Sequence, residues 1–172
     1  RPADGNEAAF AWKAALNNQH GPTALILTRQ PVPTFDQSKF NSASGLLKGA
    51  YVLTGSENPE IILLGTGSET HIALEAFNIL SNEGIKARVV SMPCQELFEK
   101  EPEEYKKEVL PDGIPCVAIE AGVRQGWERY TGYRGDVISI ERFGASAPYK
   151  KIYQEYGLTA EHMVKAAKKI LG

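Results

Sequence analysis

The 172-residue chain has only two cysteines, Cys94 and Cys116, and only three histidines, His20, His71 and His162. Two cysteines do not make a disulfide framework, and their spacing fits no zinc pattern. Each follows a proline at the edge of an apolar run, so both read as free buried thiols in a reducing compartment. The histidines lie far apart and none has a second ligand at metal spacing, so no metal site is expected. Excess charge is missing too: 19 Lys and Arg against 21 Asp and Glu leave a net charge of −2. That balance gives no basis for a nucleic-acid footprint or a membrane-surface patch. No apolar run approaches the roughly 20 residues that cross a bilayer. The first residues, "RPADGNEAAF", have no basic region followed by an apolar core, so they do not read as a signal peptide.

What is present is an alternation of apolar runs with helical patterns, the signature of an α/β fold with a largely parallel sheet. "NEAAFAWKAALNNQ" predicts an amphipathic helix with Phe10, Trp12, Ala14, Ala15 and Leu16 on its apolar side, capped by Asn6, with Glu7 at the positive end of the dipole. "TALILTR", ending at Arg29, reads as a buried strand. "QPVPTFDQSKFNSASG" has two prolines and no periodicity, and reads as a linker. A single helix and strand cannot bury a core alone. Residues 1–30 are therefore expected to be the end of a domain whose beginning lies upstream, 31–45 a linker, and 46–172 a complete domain.

That domain is expected to be a three-layer α/β/α sandwich with a mostly parallel five-stranded sheet. The expected strands are "GAYVL" (49–53), "IILLG" (61–65), "KARVVSM" (86–92), "CVAIEAG" (116–122) and "DVISIERFG" (136–144). A helix is expected from Glu69 to Glu83, closed by Gly84. Pro102 should split the following helical stretch into two, on which Glu103 and Lys107 stand at i,i+4. One or two helical turns should lie between the last strands. A helix after Pro148 should stop at Gly157, and a last one should run from a Thr159 cap to Leu171.

"IILLGTGSET" is the stretch that first suggests chemistry. Gly65, Thr66, Gly67 and Ser68 form a turn from a strand end into a helix N-terminus, where free N–H groups can meet an anion. The dinucleotide fingerprint G-x-G-x-x-G is incomplete, because Thr70 stands at the last glycine, and Glu69 puts a negative charge at the same helix end. Glycines at such a turn also serve purely steric needs. Two readings stay open here, a structural turn and an anion contact.

The segments "RPADGNE" (1–7), "GPTALILTRQ" (21–30), "GTGSE" (65–69), "KARVVSMP" (86–93), "IEAG" (119–122) and "RFGASAP" (142–148) stand in the order and spacing of transketolases, and the chain resembles that family along its whole length. The resemblance implies the end of the middle, pyrimidine-binding domain followed by the C-terminal domain. It implies a parent enzyme that moves a two-carbon ketol unit from a ketose phosphate to an aldose phosphate, with thiamine diphosphate and Mg or another divalent metal as cofactors. It also implies a cytoplasmic or plastid homodimer acting on sugar phosphates. The G-D-G…N metal stretch, the activating glutamate and the substrate histidines of that family are absent from these residues. This segment is therefore expected to hold no catalytic residue, no metal and no cofactor.

One role carries over by resemblance. Arg29, in Thr28-Arg29-Gln30, matches the family's arginine that contacts the substrate phosphate, and a guanidinium fork suits that ligand. Glu120 and Arg142 are expected at strand ends, paired across adjacent strands, with Trp127 and Tyr130 forming an aromatic patch for packing or an interface. Cys94, Thr70-His71 and Tyr149 depart from the family pattern. The alternative to a transketolase segment is a stand-alone α/β binding or regulatory module that uses the Gly65 to Ser68 turn for an anion.

Overall fold

The computed structural model describes residues 1–172. Its center is β2, Ile61–Gly65, a strand with no exposed residue. Ile61 and Leu63 point into one apolar cluster and Ile62 and Leu64 into the other. A strand covered on both faces has no use for polar alternation, which is why it reads as a continuous apolar run. β3, Ala87–Ser91, and β4, Cys116–Ile119, flank it in parallel, and β5, Asp136–Ile138, follows β4 in parallel. β1, Tyr51–Gly55, closes the other edge antiparallel to β3, giving the order β1-β3-β2-β4-β5. The expected mostly parallel five-stranded sandwich is what the chain forms.

Two helices cover the face beneath Leu63: α2, Glu69–Asn82, and α7, Ala160–Leu171. The chain turns out of α2 at Gly84, whose φ of +83° suits a residue without Cβ. α7 starts as expected, with the Thr159 side chain accepting from the His162 N–H. The face beneath Leu64 is covered by α3, Gln95–Phe98, α4, Glu103–Val109, and α5, Glu128–Thr131, through Phe98, Val109 and Trp127. Pro102 separates α3 from α4, because it has no N–H to continue a helix. α6, Tyr149–Tyr156, begins after Pro148 and stops at left-handed Gly157.

Several local expectations need correction. α1, Gly5–Asn17, is capped by Asp4 and not by Asn6: the Asp4 side chain accepts from the Glu7 N–H, while Asn6 donates to Phe35 O instead. Its apolar side is not buried, with Trp12 58% and Leu16 78% exposed. "TALILTR" forms no strand, and Ile26 and Leu27 are 61% and 56% exposed. A strand exists only against a neighboring backbone, and no backbone hydrogen bond reaches residues 23–29. β4 and β5 stop short of their glycines, at Ile119 and Ile138, with only two further links, Glu120 N–H to Ile138 O and Ile140 N–H to Gly122 O. Glu103 pairs with Lys106, and Lys107 pairs with Asp112.

The expected linker is not a free tether. Phe35 and Ala3 lie in the same buried cluster as Leu63. A short 3-10 helix, Ala43–Lys48, then leads through Gly49 into β1. Gly49 has φ +83°, and a Cβ there would overlap Phe98 N and Cys94 O. Gly49→Ala should therefore cost about 2 kcal/mol or more, through left-handed strain together with the overlap. Urea denaturation would show a lowered midpoint; an unchanged midpoint would contradict this packing.

Candidate functional site

In open α/β sheets ligands bind outside the carboxyl ends of the strands. Here that crevice is filled by residues 1–7 of the same chain. The Arg1 backbone nitrogen donates to Pro93 O at 2.8 Å, just beyond β3. Its carbonyl accepts from Gly67 N–H at 3.0 Å, in the turn after β2. Its guanidinium bridges two carboxylates, Glu69 at 2.8 Å and Glu120, to which it also hydrogen-bonds. Glu69 opens α2, is fully buried, and accepts in addition from Tyr153 Oη at 2.6 Å and Ser68 Oγ at 2.7 Å.

Burial disfavors the charge on Arg1, but Glu120 and Glu69 outweigh it and hold the guanidinium above its ordinary pKa. Burial pushes the Glu120 carboxyl up, with Arg1 pulling the other way. Burial together with Glu69 also raises the Tyr153 phenol, which stays protonated and donating.

A second buried carboxylate lies deeper. Glu7, with no exposed surface, accepts from Ala3 N–H at 2.7 Å, Tyr51 Oη at 2.9 Å and Ser91 Oγ at 2.6 Å. It thus joins the start of α1 to β1 and to the end of β3. Asp4 accepts from Glu7 N–H and from Phe35 N–H, both at 2.8 Å, so one side chain caps the helix and pins the strap that follows. His71, on α2, touches Ala3 O at 3.2 Å and stacks on Phe35 with ring centroids 4.3 Å apart.

The Gly65–Ser68 turn has a steric role in this arrangement. A Cβ on Gly65 would come within 2.6 Å of Thr70 Cα, so the glycine lets α2 approach β2. Gly67 takes φ +56° beneath the Arg1 side chain. What lies against the turn is the guanidinium and carbonyl of Arg1.

Arg29 is exposed, at a bend where Gln30 N–H donates to Thr28 Oγ1 at 3.2 Å. The residues after it, 30–33, form one wall of a cleft of about 450 Å³ whose other walls are α2, α6 and α7. The structure thus gathers Arg1, Glu69, Glu120 and Glu7 at the sheet ends, while Arg29 stands apart from them.

Residues 49–159 match the family described as transketolase-like TK C-terminal domain. The chain is 52% identical over 165 residues to the transketolase of Aquifex aeolicus, covering 95% of this chain and 24% of that protein. The chain belongs to the transketolase family. Transketolase from Leishmania mexicana superposes with a TM-score of 0.90 at 40% identity, over 99% of this chain and 24% of that one. A Pichia stipitis transketolase in complex with sedoheptulose-7-phosphate superposes with a TM-score of 0.91 at 39% identity, again over 99% and 24%. The chain spans about a quarter of the length of these transketolases.

Within this transketolase segment Glu120 does not pair with Arg142. Arg1 takes that place, and Arg142 stacks over Tyr156 at 4.2 Å and donates to Glu155 O. The strand ends are too short to bring the two together, because β5 stops at Ile138. Trp127 and Tyr130 do meet, 6.1 Å apart and edge to face, with Trp127 in the core. Cys116 is buried and Cys94 only half-buried. Sequence reading passed over Arg1, Asp4, Glu7 and Glu69 as a network. The signal available was Asp4-x-x-Glu7, the spacing of a cap with its third-position acid.

Burial pushes Glu7 up from its ordinary 4.5, against the three donors that favor its charge. A carboxyl raised on folding contributes stability fully present below the unfolded value and lost as pH rises through the folded one. The stability of the chain relative to Glu7→Gln should therefore increase as pH falls from neutral toward 4.5, read as unfolding free energy in urea. A flat or reversed trend contradicts this. Glu7→Ala, leaving three buried donors without an acceptor, should cost about 3 kcal/mol or more at neutral pH.

Proposed function

We propose that this chain is the carboxyl-terminal part of a transketolase acting as a homodimer in the cytoplasm or a plastid. The complete enzyme transfers a two-carbon ketol unit from a ketose phosphate to an aldose phosphate, with thiamine diphosphate and a divalent metal. The observation that carries this reading is the match along nearly the whole chain, at 95% coverage in sequence and 99% in structure, to proteins about four times its length. That one such relative is described in complex with sedoheptulose-7-phosphate supports sugar phosphates as the substrate class.

The residues of this chain do not fit the cofactor or its metal. No three His, Cys, Asp or Glu side chains are grouped to hold a metal ion. The crevice at the sheet ends is filled by Arg1 and Glu7. Cofactor binding and the bond-making steps are therefore assigned to the remaining length of the enzyme. This segment's share is a rigid anchor and one substrate contact, the exposed Arg29 guanidinium, which offers planar paired donors to a phosphate.

Arg29→Ala in the complete enzyme should raise KM for phosphorylated substrates by about tenfold or more, while leaving KM for an unphosphorylated acceptor near its original value. Equal effects on both acceptors would contradict the phosphate role. The isolated chain should bind no thiamine diphosphate by calorimetry; measurable binding would relocate the cofactor site.

A further inference from the structure

We propose that His71 is a positioning residue for the substrate phosphate, holding through Phe35 the strap that carries Arg29. The proposal rests on the role given to Arg29 above. His71 is one of the departures from the family pattern, and no part of the ketol-transfer reading uses it.

Five residues separate Arg29 from Phe35, and two of them, Pro31 and Pro33, have φ locked near −65°. The residue before each proline, Gln30 and Val32, is biased to extended backbone. Such a stretch is a stiff strap, so a displacement at one end reaches the other. Residues 30–33 lie along the cleft against α2, α6 and α7 and make no strand. What fixes the strap is its far end. There Phe35 donates its N–H to Asp4 at 2.8 Å and accepts from Asn6 Nδ2 at 2.9 Å, and its ring is stacked on His71 at an interplanar angle of 29°. Phe40 meets the same ring edge-on at 5.6 Å.

His71 is held in turn. Its Nε2 lies 3.2 Å from Ala3 O, so the imidazole ties α2, the filled crevice and the strap into one unit. Burial lowers the His71 pKa, with the hydrogen bond to Ala3 O, and after it Asp4, Glu75 and Glu69, pulling the other way. The ring is neutral at neutral pH, donating Nε2–H to the carbonyl and presenting an uncharged face to Phe35. Without the imidazole, Phe35 loses its stacking partner, and the strap's far end is held only by the backbone links to Asp4 and Asn6 and by Phe40. A guanidinium displaced by an ångström loses much of its contact with phosphate oxygens.

The test compares His71→Ala, His71→Phe, Arg29→Ala and the His71→Ala/Arg29→Ala pair in the complete enzyme, with an aldose phosphate and its unphosphorylated counterpart as acceptors. His71→Ala should raise KM for the phosphorylated acceptor about fivefold, keep kcat within about twofold and leave the unphosphorylated acceptor's KM unmoved. His71→Phe, which keeps the stack, should restore most of the loss. The double variant should be no worse than Arg29→Ala alone. If Arg29→Ala shows the phosphate-selective loss and His71→Ala does not, the positioning role is overturned while the role of Arg29 stands. If Arg29→Ala shows no selective loss, the role of Arg29 falls and the proposal with it. Should His71→Ala fail to fold, Phe35→Leu removes the stack while keeping apolar bulk. The same selective rise in KM supports the proposal, and its absence overturns it.

Discussion

Two carboxylates without solvent exposure, Glu7 and Glu69, set the terms on which the carboxyl ends of this sheet are organized. A buried carboxylate is costly unless donors surround it, and removing one partner of such a group is far more damaging than never having had it. Glu69 is satisfied by Arg1, Tyr153 and Ser68, and Glu7 by a backbone amide and the hydroxyls of Tyr51 and Ser91. These donors come from β1, β3, α6, the turn before α2 and the segment before α1. The residues that precede α1 are thereby made part of a core to which they contribute little apolar surface beyond Pro2 and Ala3.

The consequence for function follows from where this happens. The ends of β2, β3 and β4 are where a doubly wound sheet usually receives a ligand, and here Arg1 and the turn beneath it occupy that space. The turn glycines, which look like a phosphate cradle, serve the close approach of α2 to β2 and the passage of Arg1 over Gly67. On the proposed reading the substrate contact lies outward of these strand ends, at Arg29, whose following strap reaches this core through Phe35 and residues lining the cleft. On the same proposed reading a segment with this construction serves as an anchor, holding the rest of the enzyme in a fixed relation to a rigid sheet.

Much of the fold was legible because its signals are local. Pro102, Pro148, Gly157 and Thr159 mark helix ends for stereochemical reasons that do not depend on the rest of the chain. "IILLG" could be read to the residue because a central parallel strand is apolar throughout. The failures have the opposite character. "TALILTR" has the composition of a strand, but pairing is a property of two segments, and this chain supplies no second one. The apolar residues Trp12 and Leu16 suit a buried helix face, yet nothing in these residues covers them. The ion network was invisible for the same reason, since Arg1 meets Glu69 and Glu120 only through long-range folding. The role proposed for Arg29 rests on family likeness and on the chemistry of its guanidinium, not on any contact within these residues.

The central claim is that residues 1–7 belong to the core of the sheet and seal its carboxyl ends. Amide hydrogen exchange on the folded protein tests it most directly, because Ala3 donates its N–H to Glu7, and Gly67 donates its N–H to Arg1. These two amides should exchange as slowly as those of β2 and β3, opening only with global unfolding. Rapid exchange at Ala3 and Gly67 while β2 and β3 stay protected would contradict it. The segment would then be a detachable cover, and the sheet ends would be open to a ligand.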